Sequence, residues 1–365
     1  MSLTISAAQV DALIANPSSI SGYSASSPII ISGAITVSQA NSLNAVDATY
    51  IQATISNATV QELSGIAVNN SSRTVKNKYT IVVSDTSATA AELNTVQALT
   101  SLAIDASNLT ATNSTGIEAS SSSDITTLYT GTVPTGIGTA AIKVNDTTAS
   151  ASTLNTIDGY TTGTVTSTAT TIQGTAADLH TLVDAGGISH ETDVLMTVTG
   201  STAAAADLNA INAETTGLVT VSPSVTMMTG NITAITDAYT ANDTTPATIT
   251  GLDAINLTVE AVSGTNPSIA NIVTAIGKTT GAVTATTRPA ENAIADFSAI
   301  SGTGHAITLG APLDDASMSA AALKALDDSI TTTISFDAGG VTGAVPAITS
   351  SSYSDIIAIL DSTGI

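Results

Sequence analysis

The chain of 365 residues has no cysteine and no tryptophan, and aromatic residues make up only 2% of it. Without cysteine, disulfides and thiolate metal sites are excluded. So few aromatics argue against a large globular centre filled by rings, and favour thin layers of small aliphatics such as a stacked coil buries. Charge is scarce as well, at 10% against about 25% in an average soluble protein, and Ser, Thr and Asn replace it as the polar component. Basic residues are rarest: 7 Lys and Arg stand against 29 Asp and Glu, a formal net charge of −22. That balance argues against nucleic acid, whose phosphates need Lys and Arg, and against anionic membrane surfaces. It is compatible with divalent cations. The few tryptic sites suit exposure outside a cell. No apolar run approaches the roughly 18 residues of a spanning helix, so no membrane insertion is expected. The start, Met1-Ser2-Leu3-Thr4-Ile5-Ser6, shows neither the basic region nor the apolar run of a cleavable signal peptide.

What the chain does contain is repetition. Leu93-Asn94-Thr95-Val96, Leu154-Asn155-Thr156-Ile157 and Leu208-Asn209-Ala210-Ile211 are copies of one phrase. A second phrase is Thr-Thr-Gly, at Thr161-Thr162-Gly163, Thr215-Thr216-Gly217 and Thr279-Thr280-Gly281, followed two residues later by Val165, Val219 or Val283. Asp85, Asp146 and Asp315 each sit eight residues before Leu93, Leu154 and Leu323. A third marker, an apolar residue two before a Gly, recurs at Gly174, Gly200, Gly230 and Gly251, at spacings of 26, 30 and 21 residues. Irregular periods of this size are the mark of a solenoid.

Within one period the pattern switches. Val219 and Val221 alternate with polar residues, as do Ile330, Thr332, Ile334 and Phe336, which reads as strand. Ile81-Val82-Val83 reads as a strand buried on both faces. Ala-rich phrases with apolar residues at spacing three read as short helices: 87–96, 176–183, 203–211 and 320–326. Asp, Ser, Thr or Gly precedes each as an N-cap, and the Gly of Thr-Thr-Gly falls where a left-handed C-cap suits Gly. The expected fold is therefore a β-rich repeat solenoid, with a parallel β-sheet wall and short helices in each coil. The alternative is a pure parallel β-helix in which the Ala-rich runs are turns; β-sandwich modules are a further reading. The solenoid is expected over 1–302, with loop insertions near 69–78 and 113–123, the latter including the run Ser120 to Ser123, and a weaker-repeat terminal section over 303–365.

Catalytic constellations are nearly absent. His180, His190 and His305 have no recurrent partners, His180 reading as an exposed or capping side chain. His190-Glu191 near Asp193 lacks zinc-like spacing. No nucleophile elbow, phosphate loop or dinucleotide fingerprint occurs. Carboxylate pairs for glycoside hydrolysis are not recognisable from one sequence, but the aromatic platforms usual in such clefts are almost lacking, so no enzyme is expected. Asp85, Asp146 and Asp315 are the candidate metal ligands. Calcium takes six to eight oxygens, often from Asp in tight turns, yet N-capping explains the same spacing without metal. Threonine-rich strands raise the idea of an ice-ordering face, which irregular coil lengths oppose. Asn-x-Thr triplets at Asn57, Asn108, Asn231 and Asn256 could accept glycans, though chance explains them in so Asn- and Thr-rich a chain.

Phrases such as Gly174-Thr175-Ala176-Ala177-Asp178-Leu179, and Leu208-Asn209-Ala210-Ile211 followed by Thr215-Thr216-Gly217-Leu218-Val219, resemble the degenerate repeats of large bacterial surface proteins. These are the surface-layer-like, adhesin-like and filament-forming proteins found especially in cyanobacteria, often exported without an N-terminal signal. The resemblance covers most of residues 3–300, carries no catalytic residues, and lacks the calcium-roll phrase. It implies an extracellular or cell-surface structural protein. Solenoids need polar end caps, and neither the opening phrase Thr4 to Leu13 nor Asp355-Ile356-Ile357-Ala358-Ile359-Leu360 provides one. The expected partner is therefore a second copy, stacked head to tail into a filament or surface layer. The alternative is an adhesin or tail-fibre segment binding cell-surface glycans.

Overall fold

Parallel strand ladders and short helices alternate along the whole of the chain that the structure describes. The computed structural model describes residues 2–67, 75–110, 115–331, 333–336, 347–349 and 352–361. They fall into two compact units, one of residues 1–170 with 185–191, the other of 171–184 with 192–365.

In the first unit, strands Leu3–Ser6, Ile29–Ile35, Ile51–Ile55 and Lys78–Thr80 lie side by side in that order. A second ladder runs Ser87–Thr89, Gly116–Ser120, Ile142–Val144, Val165–Ser167, Ile188–Ser189. In the second unit, one ladder runs Thr171–Thr175, Leu195–Thr199, Val219–Val221, Ile249–Thr250. Another runs Thr202–Ala204, Met227–Gly230, Asn256–Val259, Val283–Thr286, Ala306–Thr308, and Ser317–Ser319 pairs with Ala347–Thr349. Among the described residues every strand pairing within each unit is parallel, and partners lie between 20 residues (Ala34 with Thr54) and 30 (Ser317 with Ala347) apart. One isolated bridge, Val262 with Thr265, is antiparallel. No sheet closes into a barrel among the described residues.

Parallel neighbours need a long crossover, and the short helices supply it. Ala90–Ala98 and Ser122–Thr130 pack together in the first unit. In the second, Ala176–Asp184, Ala205–Glu214, Ile232–Asp243 and Ile269–Ile276 each pack on the next. Strand side chains alternate: Met196 and Val198, then Val219 and Val221, are buried, with the intervening threonines facing outward. Each helix turns one apolar stripe inward, and Leu208 and Ile211 are fully buried.

These elements correct several expectations. The Ala-rich runs are helices, so the all-strand alternative does not hold, and parallel pairing rules out sandwich modules. The expected single sheet wall is joined in each unit by a second ladder. Segments read only as the approach to a helix, such as Ser87–Thr89 and Thr202–Ala204, are strands of it. Ile81 and Val83 are buried while Val82 is half-exposed, so that stretch buries one face and not two. Ser120 ends a strand and Ser121 caps helix Ser122–Thr130, its hydroxyl accepting from the Asp124 amide. The serine run is therefore a strand-to-helix junction; residues 69–74 and 113–114 of the two expected insertions, and Thr332, lie outside the described residues. The ladder continues past residue 302, Ala285 standing opposite Ile307. The first rung buries its own apolar side chains, Leu3, Ile5, Val10 and Leu13.

Candidate functional site

Many of the residues that sequence marks out lie in hydrogen bonds between one strand–helix segment and the next. Helix starts leave orphan amides, and here each of several helices receives two acceptors. One comes from its own N-cap: the Thr59, Thr89, Ser121 and Ser268 hydroxyls accept from the amide three residues on. The other comes from the following coil. Asp85 Oδ2 accepts from the Val60 amide at 2.7 Å, Asp146 Oδ2 from Ser122 at 2.9 Å and Asp315 Oδ2 from Ile294 at 2.6 Å. The Asp residues do cap helices, but not the ones they precede: each reaches back to the coil before. An acidic group at a helix start also complements the helix dipole.

Two further caps of the same kind were not legible. Glu291 Oε2 accepts from the Ile269 amide at 2.6 Å, and Ser120 Oγ from Ala90 at 2.8 Å. Their spacing from the following helix differs from that of the three Asp residues, so an alignment on Asp passes them by. Among the described residues, no group of three or more His, Asp and Glu is placed to hold a metal ion. Replacing Asp146 by Ala removes one acceptor from a half-buried amide while leaving the Ser121 cap. The expected loss is about 1 kcal/mol in urea unfolding, with Asp146→Asn, which keeps an oxygen, falling between.

The Thr-Thr-Gly phrase is a second joint. The Thr161 hydroxyl donates to the Ala140 carbonyl at 2.7 Å and accepts from the Gly163 amide at 2.9 Å. Thr215 does the same with Val194 and Gly217, and Thr279 with Ile255 and Gly281. A Cβ on Gly163 would lie 2.5 Å from that same Ala140 carbonyl oxygen, and one on Gly281 2.6 Å from the Ile255 oxygen. The expected role as a left-handed C-cap is wrong: none of the three glycines has positive φ. Gly is required because two segments of the chain approach backbone to backbone. The turn glycine Gly251 combines both demands, with φ of +96° and the Val221 carbonyl against its Cα hydrogen.

The repeated Leu-Asn phrase is a third joint. Asn94 Nδ2 donates to the Asp124 carbonyl and Asn209 Nδ2 to the Ala234 carbonyl, both at 2.9 Å and both on the next helix. His180 also bridges two helices, its Nδ1 lying 2.7 Å from Asp207 Oδ1 and its Nε2 3.3 Å from Asp184. His305 is buried, Nδ1 accepting from the Val283 amide and Nε2 facing the Ser301 carbonyl, so its role is to fix one strand end to the next. Among the described residues His190 meets the Glu191 carbonyl. Asn108, Asn231 and Asn256 are held in backbone hydrogen bonds, while Asn57 is exposed.

A groove of about 490 Å³ lies in the first unit between Thr36, Asn41, Asn57 and Glu62. Its polar groups are largely engaged already, Thr36 and Glu62 in their helix caps and Asn41 Oδ1 with the Ala67 amide. An apolar groove of about 400 Å³ runs between Phe297, Ile300, Ala322 and Leu326.

Tyr239 is buried, and its hydroxyl donates to the Leu252 carbonyl at 2.8 Å. Burial, with Asp253 and Asp243 adding to it, pushes the phenol from 10.0 up to about 12. Below the unfolded value both states are protonated and stability is full. Between about 10 and 12 the unfolded chain ionises first, so stability falls as pH rises, by roughly 2–3 kcal/mol in all. Tyr239→Phe is expected to flatten that alkaline slope in chemical unfolding measured from pH 9 to 12, an unchanged slope counting against it. No helix among the described residues is long and apolar enough to cross a membrane. Comparison with known proteins finds no family model, no curated protein and no solved structure that matches the chain.

Proposed function

We propose that the chain is a non-enzymatic structural protein of the cell exterior, whose coils stack as mixed strand–helix solenoids and whose copies join head to tail into a filament or surface layer. The observation that carries this reading is the use of the chain's polar groups. Asp85, Asp146, Asp315 and Glu291, which a metal site or a catalyst would draw on, are engaged by amides of a neighbouring coil. So are the hydroxyls of Thr161, Thr215 and Thr279 by neighbouring carbonyls. A molecule whose chemistry goes into joining one rung to the next is suited to carrying load and to repetition. The resemblance to degenerate-repeat surface proteins points the same way.

Two edges support joining between copies. Among the described residues strand Leu3–Ser6 lies at one edge of its ladder, and Ala347–Thr349 pairs with Ser317–Ser319 alone; edge strands of this kind are templates for another chain. Around the second edge Ile348, Ile356, Ile357 and Leu360 are exposed, Leu360 at 73%, in keeping with an apolar contact. A contact between two different surfaces that does not close on itself builds a fibre. Negative-stain electron microscopy of concentrated protein, with and without calcium, tests this. Filaments or sheets are expected, and Ile356→Glu with Leu360→Glu is expected to abolish them. Protein that stays monodisperse by light scattering at high concentration in both conditions sinks the proposal.

A further inference from the structure

His180 lies on helix Ala176–Asp184, and its two ring nitrogens meet two different carboxylates. Nδ1 stands 2.7 Å from Asp207 Oδ1 on the adjoining helix Ala205–Glu214. An ionised carboxylate only accepts, so the ring proton belongs on Nδ1 and the lone pair of the neutral imidazole is left on Nε2. Nε2 faces Asp184 Oδ2, one helical turn further on, at 3.3 Å. That is longer than the roughly 2.7–2.9 Å of a charge-assisted N–H···O bond. Two atoms that both offer electron pairs therefore stand face to face. Ligand atoms about 2.1 Å from one shared ion lie about 3.0 Å apart at a right angle and about 3.4 Å apart at the tetrahedral angle. The gap between Nε2 and Oδ2 falls between those limits. The site opens to solvent, the Asp184 side chain being 75% exposed. Nothing cationic faces it from the packed elements. Helix Ala205–Glu214 brings the acids Asp207 and Glu214, and strands Thr171–Thr175, Leu195–Thr199 and Thr202–Ala204 carry no charge. Asp178, on the same helix as His180, is turned to the Thr175 hydroxyl.

We propose that His180 Nε2 and Asp184 Oδ2 chelate one divalent first-row transition ion, with water in its remaining positions. Imidazole with carboxylate suits Zn²⁺, Ni²⁺ and Cu²⁺, of which Cu²⁺ binds tightest. The two ligands sit at i and i+4 on one helix, which holds them as neighbours before the ion arrives. Asp207 does not touch the ion. It is a positioning residue, fixing the tautomer and the ring plane through Nδ1, as carboxylates behind metal-bound histidines do. Asp184 is the last residue of its helix, and a cation there also complements the negative end of the helix dipole. The net charge of −22 concentrates divalent cations near the surface. Two side chains and water complete the site, so no cluster of three acids and histidines marks it. It is separate from the caps formed by Asp85, Asp146 and Asp315, and it does not depend on copies joining.

The test is calorimetric titration of the full chain with Cu²⁺ and with Zn²⁺. It uses a His190→Ala background, because His190 beside Glu191 is a second half-exposed imidazole. One ion per chain is expected, Cu²⁺ the tighter. His180→Ala is expected to abolish binding and Asp184→Ala to weaken it severalfold. Asp207→Ala is expected to weaken it by about tenfold or more at unchanged stoichiometry, with circular dichroism confirming each fold. Lowering the pH from about 7.5 to about 5.5 should also weaken binding, because a proton then competes for Nε2. Electron paramagnetic resonance of the Cu²⁺ complex gives a second readout: nitrogen coupling is expected in the parent and not in its His180→Ala variant. Binding that is the same with and without His180, or no binding of either ion at millimolar concentration, overturns the proposal. Stabilisation by acid with no response to either ion also overturns it, and leaves His180 as an imidazolium held between two carboxylates.

Discussion

Gly217→Ala is expected to destabilise the second unit by about 3 kcal/mol, at the upper end of what overpacking costs. The reason is distance and not backbone freedom. Gly217 has ordinary φ, so Ala suits the conformation. Its added methyl, however, would press on the Val194 carbonyl oxygen, well inside van der Waals contact. That oxygen also accepts the Thr215 hydroxyl at 2.6 Å, and the hydroxyl in turn holds the Gly217 amide. Relief of the clash therefore breaks two hydrogen bonds or lifts one coil from the next. Gly163→Ala and Gly281→Ala meet the same geometry and should cost about as much. Gly186 is the control: it has no positive φ and nothing stands within 4 Å of its would-be Cβ, so Gly186→Ala should stay within about 0.5 kcal/mol of wild type. Urea unfolding of the four variants checks this, and equal stability of Gly217→Ala and Gly186→Ala would refute it.

Leu208→Ala should cost about 3 kcal/mol, within the range for a fully buried leucine whose cavity cannot collapse. Leu208 is 0% exposed, as are Leu93 and Leu154 at the same place in the phrase. Strands Thr202–Ala204 and Met227–Gly230, which contact this helix, are held by their own ladder bonds, which limits how far they move in to fill the gap. Next to it, Asn209→Ala removes one hydrogen bond to the Ala234 carbonyl and should cost about 1 kcal/mol. The two neighbours separate the roles of the phrase: leucine fills the rung, asparagine ties it to the next. If the segments stack as the proposed repeat does, stability is a sum of nearest-neighbour terms, and hydrogen exchange should show the loss of protection in Leu208→Ala concentrated around residues 195–235. Protection lost evenly over the whole chain would instead indicate one indivisible core.

Much of the mixed strand–helix organisation was legible, for a simple reason. A rung has one apolar position per turn of helix and every second residue of strand, so Leu208 with Ile211, and Val219 with Val221, show their periods directly. Part of the second ladder was hidden because strands such as Ser87–Thr89 and Thr202–Ala204 are three residues long and built of Thr, Ala and Ser. Thr202–Ala204 is too short for alternation to register and too small for burial to be guessed. The caps were half legible. Asp85, Asp146 and Asp315 repeat at one spacing, and capping is what they do, but a side chain's partner in another coil leaves no trace in local spacing. The Thr-Thr-Gly phrase misled because Gly usually signals a bend. Here it marks two backbones in contact, a property of the neighbouring coil.

The backward reach of these caps has a bearing on how the protein is made. Val60 can surrender its amide only when Asp85 has been synthesised, and Ser122 only when Asp146 has. At ordinary translation rates of about 5–20 residues per second, the newest helix on the ribosome waits on the order of seconds for its acceptor. These two caps therefore close only after the following segment has been made.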